Sequence, residues 1–206
     1  MNYQDVTWYH GTNNRFSSWV FPPPLAKEKP ELFVHTISFL TTDKELANAA
    51  GDSLCTAVIS AQANVLNIFE DESNSEELRK RVANTELGRY HDYAINATYW
   101  PSAWREGLMM RYGSNHPDRK PVLEEMQRFA QEVKRGSREL KHIQAWIEAQ
   151  NLTREWIELL GAEARNMGFD ALIGCEIFSS SALSGRPCPV LFALTGKALT
   201  PPIWVK

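Results

Sequence analysis

The amino-acid sequence predicts an α+β fold, and three observations carry that reading. Strand-forming runs occupy both ends of the chain, as in Val6-Thr7-Trp8-Tyr9 and Val190-Leu191-Phe192-Ala193-Leu194. Residues from about 74 to 167 instead carry apolar side chains at helical spacing. With 206 residues, 43% hydrophobic and 23% charged, the chain holds enough apolar surface for one substantial core. We therefore expect a single domain over 1–206, its sheet assembled from both termini and its helical middle inserted between them. No run approaches the roughly 18 consecutive apolar residues of a membrane span, and no basic stretch followed by an apolar one opens the chain. A cytoplasmic protein without a membrane partner is the expectation. The formal charge of −3 gives no global attraction for nucleic acid. Cys55, Cys175 and Cys188 and the five histidines lack metal-ligand spacing, so no metal is expected, and no glycine-rich phosphate loop opens a helix.

The first strand runs through Asp5-Val6-Thr7-Trp8-Tyr9, with Val6, Trp8 and His10 on one face and Thr7 and Tyr9 on the other. His10 stands where this strand ends. Gly11 follows, a residue that lets the backbone approach a ligand, and Thr12-Asn13-Asn14 supplies turn chemistry. Read on its own, a lone His after a strand is more often a surface or hydrogen-bonded residue than a site residue. Pro22-Pro23-Pro24 forbids helix, and residues 22–32 read as a surface loop that either covers a site or simply connects. His35 to Thr41 is the next strand. It runs into Thr42-Asp43-Lys44-Glu45, a capping-box pattern with Thr42 as N-cap, and a small helix carrying Leu46, Ala47, Ala49 and Ala50 that Gly51 stops. Strands are expected again over Leu54–Ser60 and Val65–Phe69.

In the middle, Ser73 to Glu76 caps a helix with Leu78 and Val82 on its apolar face, and Tyr90, Tyr93, Tyr99, Trp100 and Trp104 read as core aromatics. A helix starting at Pro121 carries Val122, Met126, Phe129 and Val133 and ends at Gly136. A second, capped by Ser137, carries Leu140, Ile143 and Ile147, and a third runs from Thr153 to Gly168. Strand returns over Phe169 to Glu176. After a loop from Ser179 to Arg186, Pro189–Leu194 forms another, and the chain closes on Pro201-Pro202-Ile203-Trp204-Val205.

Three strands thus end in residues with chemistry: His10 with Gly11, Phe39 with Thr41, and Glu176. Tyr9-His10-Gly11-Thr12, then Phe39-Leu40-Thr41-Thr42-Asp43 leading into Glu45-Leu46-Ala47-Asn48-Ala49, then Gly168-Phe169-Asp170-Ala171-Leu172-Ile173 together resemble the His-Tyr-Glu branch of the ADP-ribosyltransferases. That branch includes diphtheria toxin and the poly-ADP-ribose polymerases, and the order of segments is similar to that of small ADP-ribosylating anti-CRISPR proteins of phages. The matching pieces cover about a third of the chain. The resemblance implies a split-sheet core with the helical middle as an insertion, and NAD as substrate in the cleft. It implies that His10 holds the adenosine ribose, that Gly11, with Thr12 and Thr41 nearby, meets the nicotinamide carboxamide, and that Phe39 stacks on nicotinamide. Glu176 would be the acid that stabilises positive charge on the ribose. Phe39 stands where the branch usually has Tyr, Ala49 replaces a second aromatic, and the last long strand opens on Arg186-Pro187-Cys188-Pro189 without an acid. Asp170 is the alternative acid, although an Asp after Gly-Phe at a helix-to-strand turn is more often a turn residue.

The activity so implied is a toxin-like transfer of ADP-ribose from NAD to a protein or nucleic-acid acceptor, with release of nicotinamide. Two alternatives stand beside it: an NAD glycohydrolase using water as acceptor, and a non-enzymatic binding protein that keeps the fold. Cys188 between two prolines is read as a buried thiol rather than a nucleophile.

Overall fold

The computed structural model describes residues 3, 5–23, 35–112, 117, 120–133, 140–178 and 186–205. Seven strands, β1 (Trp8–Thr12), β2 (Ser38–Thr41), β3 (Ser53–Ala57), β4 (Val65–Asn67), β5 (Ala171–Phe178), β6 (Arg186–Ala193) and β7 (Ile203–Trp204), form one mixed sheet in the order β4-β5-β6-β2-β1-β3-β7. Among the described residues six α-helices accompany them: α1 (Lys44–Asn48), α2 (Glu72–Ala83), α3 (Asp92–Ile95), α4 (Trp100–Arg105), α5 (Lys120–Val133) and α6 (Leu140–Asn166). The α+β class and the assembly of the sheet from both termini are therefore correct at that level.

The long antiparallel pair β5–β6 is in register from Ala171↔Ala193 to Phe178↔Arg186, and β2 joins β6 from Ser38↔Ala193 to Thr41↔Val190. On the other side β1 and β3 pair along five residues, Trp8↔Ala57 to Thr12↔Ser53. Between these two blocks the ladder is thin. β1 and β2 share a single register pair, Tyr9↔Thr41. The sheet is thus one hydrogen-bonded surface rather than two separate halves, but with a weak seam at its centre.

Two apolar clusters cover the two faces. On one, Phe192, Val190 and Leu172 meet Trp100, Trp104, Met109, Trp156 and Leu160 of the helical middle. On the other, Trp8, Leu40, Leu191 and Ala193 pack with Ala198 and Leu199. The core reading of the middle aromatics holds for Trp100 and Trp104, which are buried, whereas Tyr99 is 54% exposed. Gly174 sits where a Cβ would overlap the Trp104 ring, so helix α4 packs directly on β5.

Several element boundaries differ from expectation for identifiable reasons. Asp43, not Thr42, caps α1: its carboxylate accepts from Glu45 N at 2.9 Å and Leu46 N at 3.0 Å. A charged acceptor outcompetes a hydroxyl at this position. Asp71 likewise displaces Ser73 as cap of α2, accepting from Asn74 N at 3.1 Å, while Glu76 pairs with Arg79 at 2.7 Å. The two helices expected on either side of Thr153 are one helix of 27 residues, α6. Ala149, Leu152, Trp156, Leu160 and Ala164 are all buried, and this continuous stripe overrides the capping tendency of Thr153; Gly161, inside the helix, is itself buried against Ile37 and Leu194. The strand expected over Leu54–Ser60 stops at Ala57, and beyond it only Ile59 bridges to Leu199. Most of the loop expected over 22–32, the Ser179–Arg186 loop up to residue 185, and the helix ends at Gly136 and Ser137 lie outside the described residues.

Candidate functional site

The site forms where the β1–β2 seam opens. If the ladder continued beyond Tyr9↔Thr41, Gly11 would face Phe39 and Thr12 would face Ser38. Instead the strands part, and His10 Nδ1 reaches across to the Phe39 carbonyl oxygen at 2.8 Å. A cavity of about 240 Å³ lies here, lined by Tyr9, His10, Gly11, Phe39, Leu40, Thr41, Leu46, Ala47, Ala50, Glu176 and Val190. Five of the six residues singled out in the sequence, His10, Gly11, Phe39, Thr41 and Glu176, therefore border one cavity. Thr12 borders a neighbouring one of about 160 Å³ instead, together with His10, Arg15, Phe16 and Trp19.

Strand alternation sorts these groups by face. Trp8 and His10 project to one side of the sheet, where the His10 ring lies 5.4 Å from Trp19 and 6.1 Å from Phe16. Phe39 projects to the other, meeting Phe192 at 5.4 Å and 69° and His35 at 4.9 Å and 74°. Glu176 stands opposite Cys188 in register, two residues from the buried Val190. His10 is thus shared by both cavities, at the gap between faces.

The electrostatics follow from burial. Loss of solvent lowers the pKa of His10, a shift opposed by its bond to the Phe39 carbonyl. The ring is neutral at neutral pH. Because a carbonyl only accepts, Nδ1 carries the proton and Nε2 keeps a lone pair able to accept from a hydroxyl. Burial raises the pKa of the Glu176 carboxyl, and the charge of Arg111 opposes that rise. The Thr41 hydroxyl donates to Pro189 O at 3.1 Å and accepts from Asp43 N at 3.1 Å, so it serves the β2–α1 connection.

Gly11 has a structural reason for lacking a side chain. A Cβ there would overlap the Ala47 carbonyl oxygen and press on Ala50, because α1 packs directly onto β1. The small residues that reach the cavity are Ala47 of α1 and Ala50 of the turn that follows it. Ala49, the helix C-cap, is exposed. Asp170, the alternative acid, is committed elsewhere: its carboxylate accepts from Thr195 Oγ1 at 2.6 Å and Asn64 N at 3.1 Å, which fits the turn reading.

Two groups near the site were not singled out by sequence. Arg111 follows a 3-10 turn, Leu108–Met110, whose preceding Gly107 (φ +69) approaches the backbone of Glu176 and Ile177 so closely that no Cβ fits. Trp156 Nε1 donates to Met109 O at 2.7 Å and His91 Nε2 to Arg111 O at 3.3 Å, fixing this turn against β5. The second group is Glu158 with His35 and Thr36, buried behind Phe39. Its one signal in sequence is an acid inside the apolar stripe of α6, between Trp156-Ile157 and Leu160.

Among the described residues no three His, Cys, Asp or Glu side chains are grouped to hold a metal ion, and no helix is long and apolar enough to cross a membrane. No protein-family model matches the chain, and no curated protein does. Among solved structures it is similar to an anti-CRISPR protein at 13% identity and a TM-score of 0.42, covering 98% of this chain and 100% of that one. That likeness assigns no family. The placement in the His-Tyr-Glu branch, and beside small ADP-ribosylating phage proteins, is therefore corrected: the comparisons give it no ADP-ribosyltransferase relative. The departures at Phe39, Ala49 and Arg186 are the residues at which the sequence already leaves that pattern.

Proposed function

We propose that the protein cleaves the nicotinamide–ribose bond of NAD and transfers ADP-ribose to a macromolecular acceptor. The observation that supports this most is the convergence of His10, Phe39 and Glu176, drawn from three separate segments, on one cavity of about 240 Å³. That volume suits a flat heteroaromatic ring with part of an attached sugar, and the neighbouring cavity, which shares His10, offers space for the remainder. In this reading the seam plays the part of the split in a split sheet.

The chemistry asks for three things. A flat ring must be oriented, which the face of Phe39 does without a hydroxyl. A ribose hydroxyl must be held, and Nε2 of a neutral His10 accepts its proton. As the glycosidic bond breaks, its electron pair leaves with nicotinamide and positive charge grows on the ribose. An ionised Glu176, withdrawn from water, stabilises that charge more strongly than a solvated carboxylate would. The acceptor's lone pair then bonds to the anomeric carbon, and the acceptor's proton passes to solvent.

The test is incubation of the protein with NAD labelled in the adenylate half, alone and with a cell lysate. Free nicotinamide together with label on a macromolecule is the expected result. Free nicotinamide without bound label would replace transfer with hydrolysis. No nicotinamide, and no thermal shift with NAD, would retire the NAD reading in favour of a binding protein without turnover.

A further inference from the structure

Glu158 is an acid at 9% exposure in the middle of α6, among buried Trp156, Ile157 and Leu160. Such a group is costly unless fully paired. It is paired, and with one short segment: Oε1 meets His35 Nδ1 at 3.0 Å and Thr36 N at 2.8 Å, and Oε2 accepts from the Thr36 hydroxyl. Arg165 Nη1, two turns along the same helix, donates to that hydroxyl oxygen at 3.0 Å. All of these contacts fall on the two residues that lead into β2. They end at Phe39, because the His35 ring meets the Phe39 ring edge-on at 4.9 Å while Phe192 meets it from another direction at 5.4 Å. Phe39 also supplies the carbonyl that holds His10.

From this geometry we propose that Glu158 is a positioning residue for Phe39. Through His35 and Thr36 it fixes the ring that borders the cavity, so that α6 preorganises the surface on which a flat ligand ring stacks. Packing alone does not call for a carboxylate here, since a buried ion pair is commonly matched in stability by apolar residues of similar size. An oriented ring does, because stacking depends on the ring plane being fixed before the ligand arrives.

The inference rests on the proposed NAD reaction for its catalytic consequence, and its test separates the two. In the ligand-free protein, aromatic carbon–proton NMR reads the Phe39 ring, with Phe39→Leu assigning the signals. His35→Ala and Glu158→Gln are expected to move the Phe39 signals toward averaged positions, and His35→Phe, which keeps an edge contact but cannot bond Glu158, to restore them only in part. With NAD as probe, His35→Ala and Glu158→Gln should raise KM roughly tenfold with kcat within about twofold, as befits a group acting on ligand placement. Unmoved Phe39 signals in His35→Ala would overturn the proposal, as would lowered kcat at unchanged KM. If Glu158→Gln does not fold, His35→Phe decides, since full restoration of the Phe39 signals without a bond to Glu158 overturns the proposal. If the unmodified protein releases no nicotinamide, the NAD reading fails while the Phe39 signals still decide the positioning.

Discussion

At Glu176 the same burial that strengthens its carboxylate also makes that charge harder to form. The direction of its shift gives two expectations. Its folded pKa lies above the unfolded one, so its contribution to stability is fully present below the unfolded value and is lost as pH rises through the folded value. Glu176→Gln should therefore abolish nicotinamide release while melting no lower than the unmodified protein at neutral pH; thermal unfolding and a nicotinamide assay check the two halves. The second concerns Arg111. Facing Glu176 are Arg111 from the turn after α4, Cys188 from β6 and Tyr9 and His10 across the cavity, and of these Arg111 is the fixed positive charge. Replacing Arg111 with Ala removes the positive charge that opposes the rise. The acidic limb of kcat/KM against pH should move to higher pH, with Arg111→Lys lying between; an unmoved limb would separate Arg111 from Glu176.

At the scale of elements, two contacts determine how the site is framed. The first is α1 against β1. Gly11→Ala places a methyl group on the Ala47 carbonyl, so β1 and α1 must separate. A loss of about 2–3 kcal/mol in urea unfolding is expected, the range of an overpacked core position. The second is the bracket that the helical middle makes behind β5. Buried His91 stacks on Trp156 at 4.0 Å and 9°, and burial lowers its pKa to about 4 despite its bond to Arg111 O. The unfolded chain takes up this proton near pH 6.5, the folded chain near 4. Stability from this group is thus complete above 6.5 and lost as pH falls toward 4, by on the order of 3 kcal/mol. Tryptophan fluorescence during denaturation at pH 7 and pH 5 reads this loss, and His91→Phe, which keeps the stack, should flatten the dependence.

Across the whole molecule, the sheet consists of β4-β5-β6-β2 and β1-β3-β7 joined by Tyr9↔Thr41 and the His10–Phe39 bond. His10→Phe removes that bond, and amide exchange of Tyr9 and Thr41 should accelerate while that of Leu172 and Leu191 in β5 and β6 does not. Equal rates before and after would show that the seam does not depend on His10. What the sequence made legible was local. Period two put Trp8 and His10 on one face, and a glycine after Met167 marked the end of α6. That His10, Phe39 and Glu176 border one cavity does not come from strand ends, where the sequence put them. His10 is central in β1 and pairs with Cys55, Phe39 lies inside β2, and β5 continues past Glu176 to Phe178, so it is the seam between β1 and β2 that opens the cavity. Three-dimensional partners were not legible. Glu158 lies 123 positions from His35, and no spacing signal connects them. Arg111 reaches the site only because Gly107 allows a turn to lie on β5, and a fused α6 follows from a buried stripe that local capping rules do not weigh.

The strand order has one further consequence. Between β5, which carries Glu176, and β1, which carries His10, stand β6 and β2, three inter-strand spacings of about 4.8 Å each. The backbones at the two ends of this span are therefore roughly 14 Å apart, and the Glu176 and His10 side chains reach inward from them to border one cavity. A molecule that touches both ends must be long, with a ring at one station, Phe39, along its length. A graded series of NAD fragments should bind with a step in affinity at the length where both ends are first engaged.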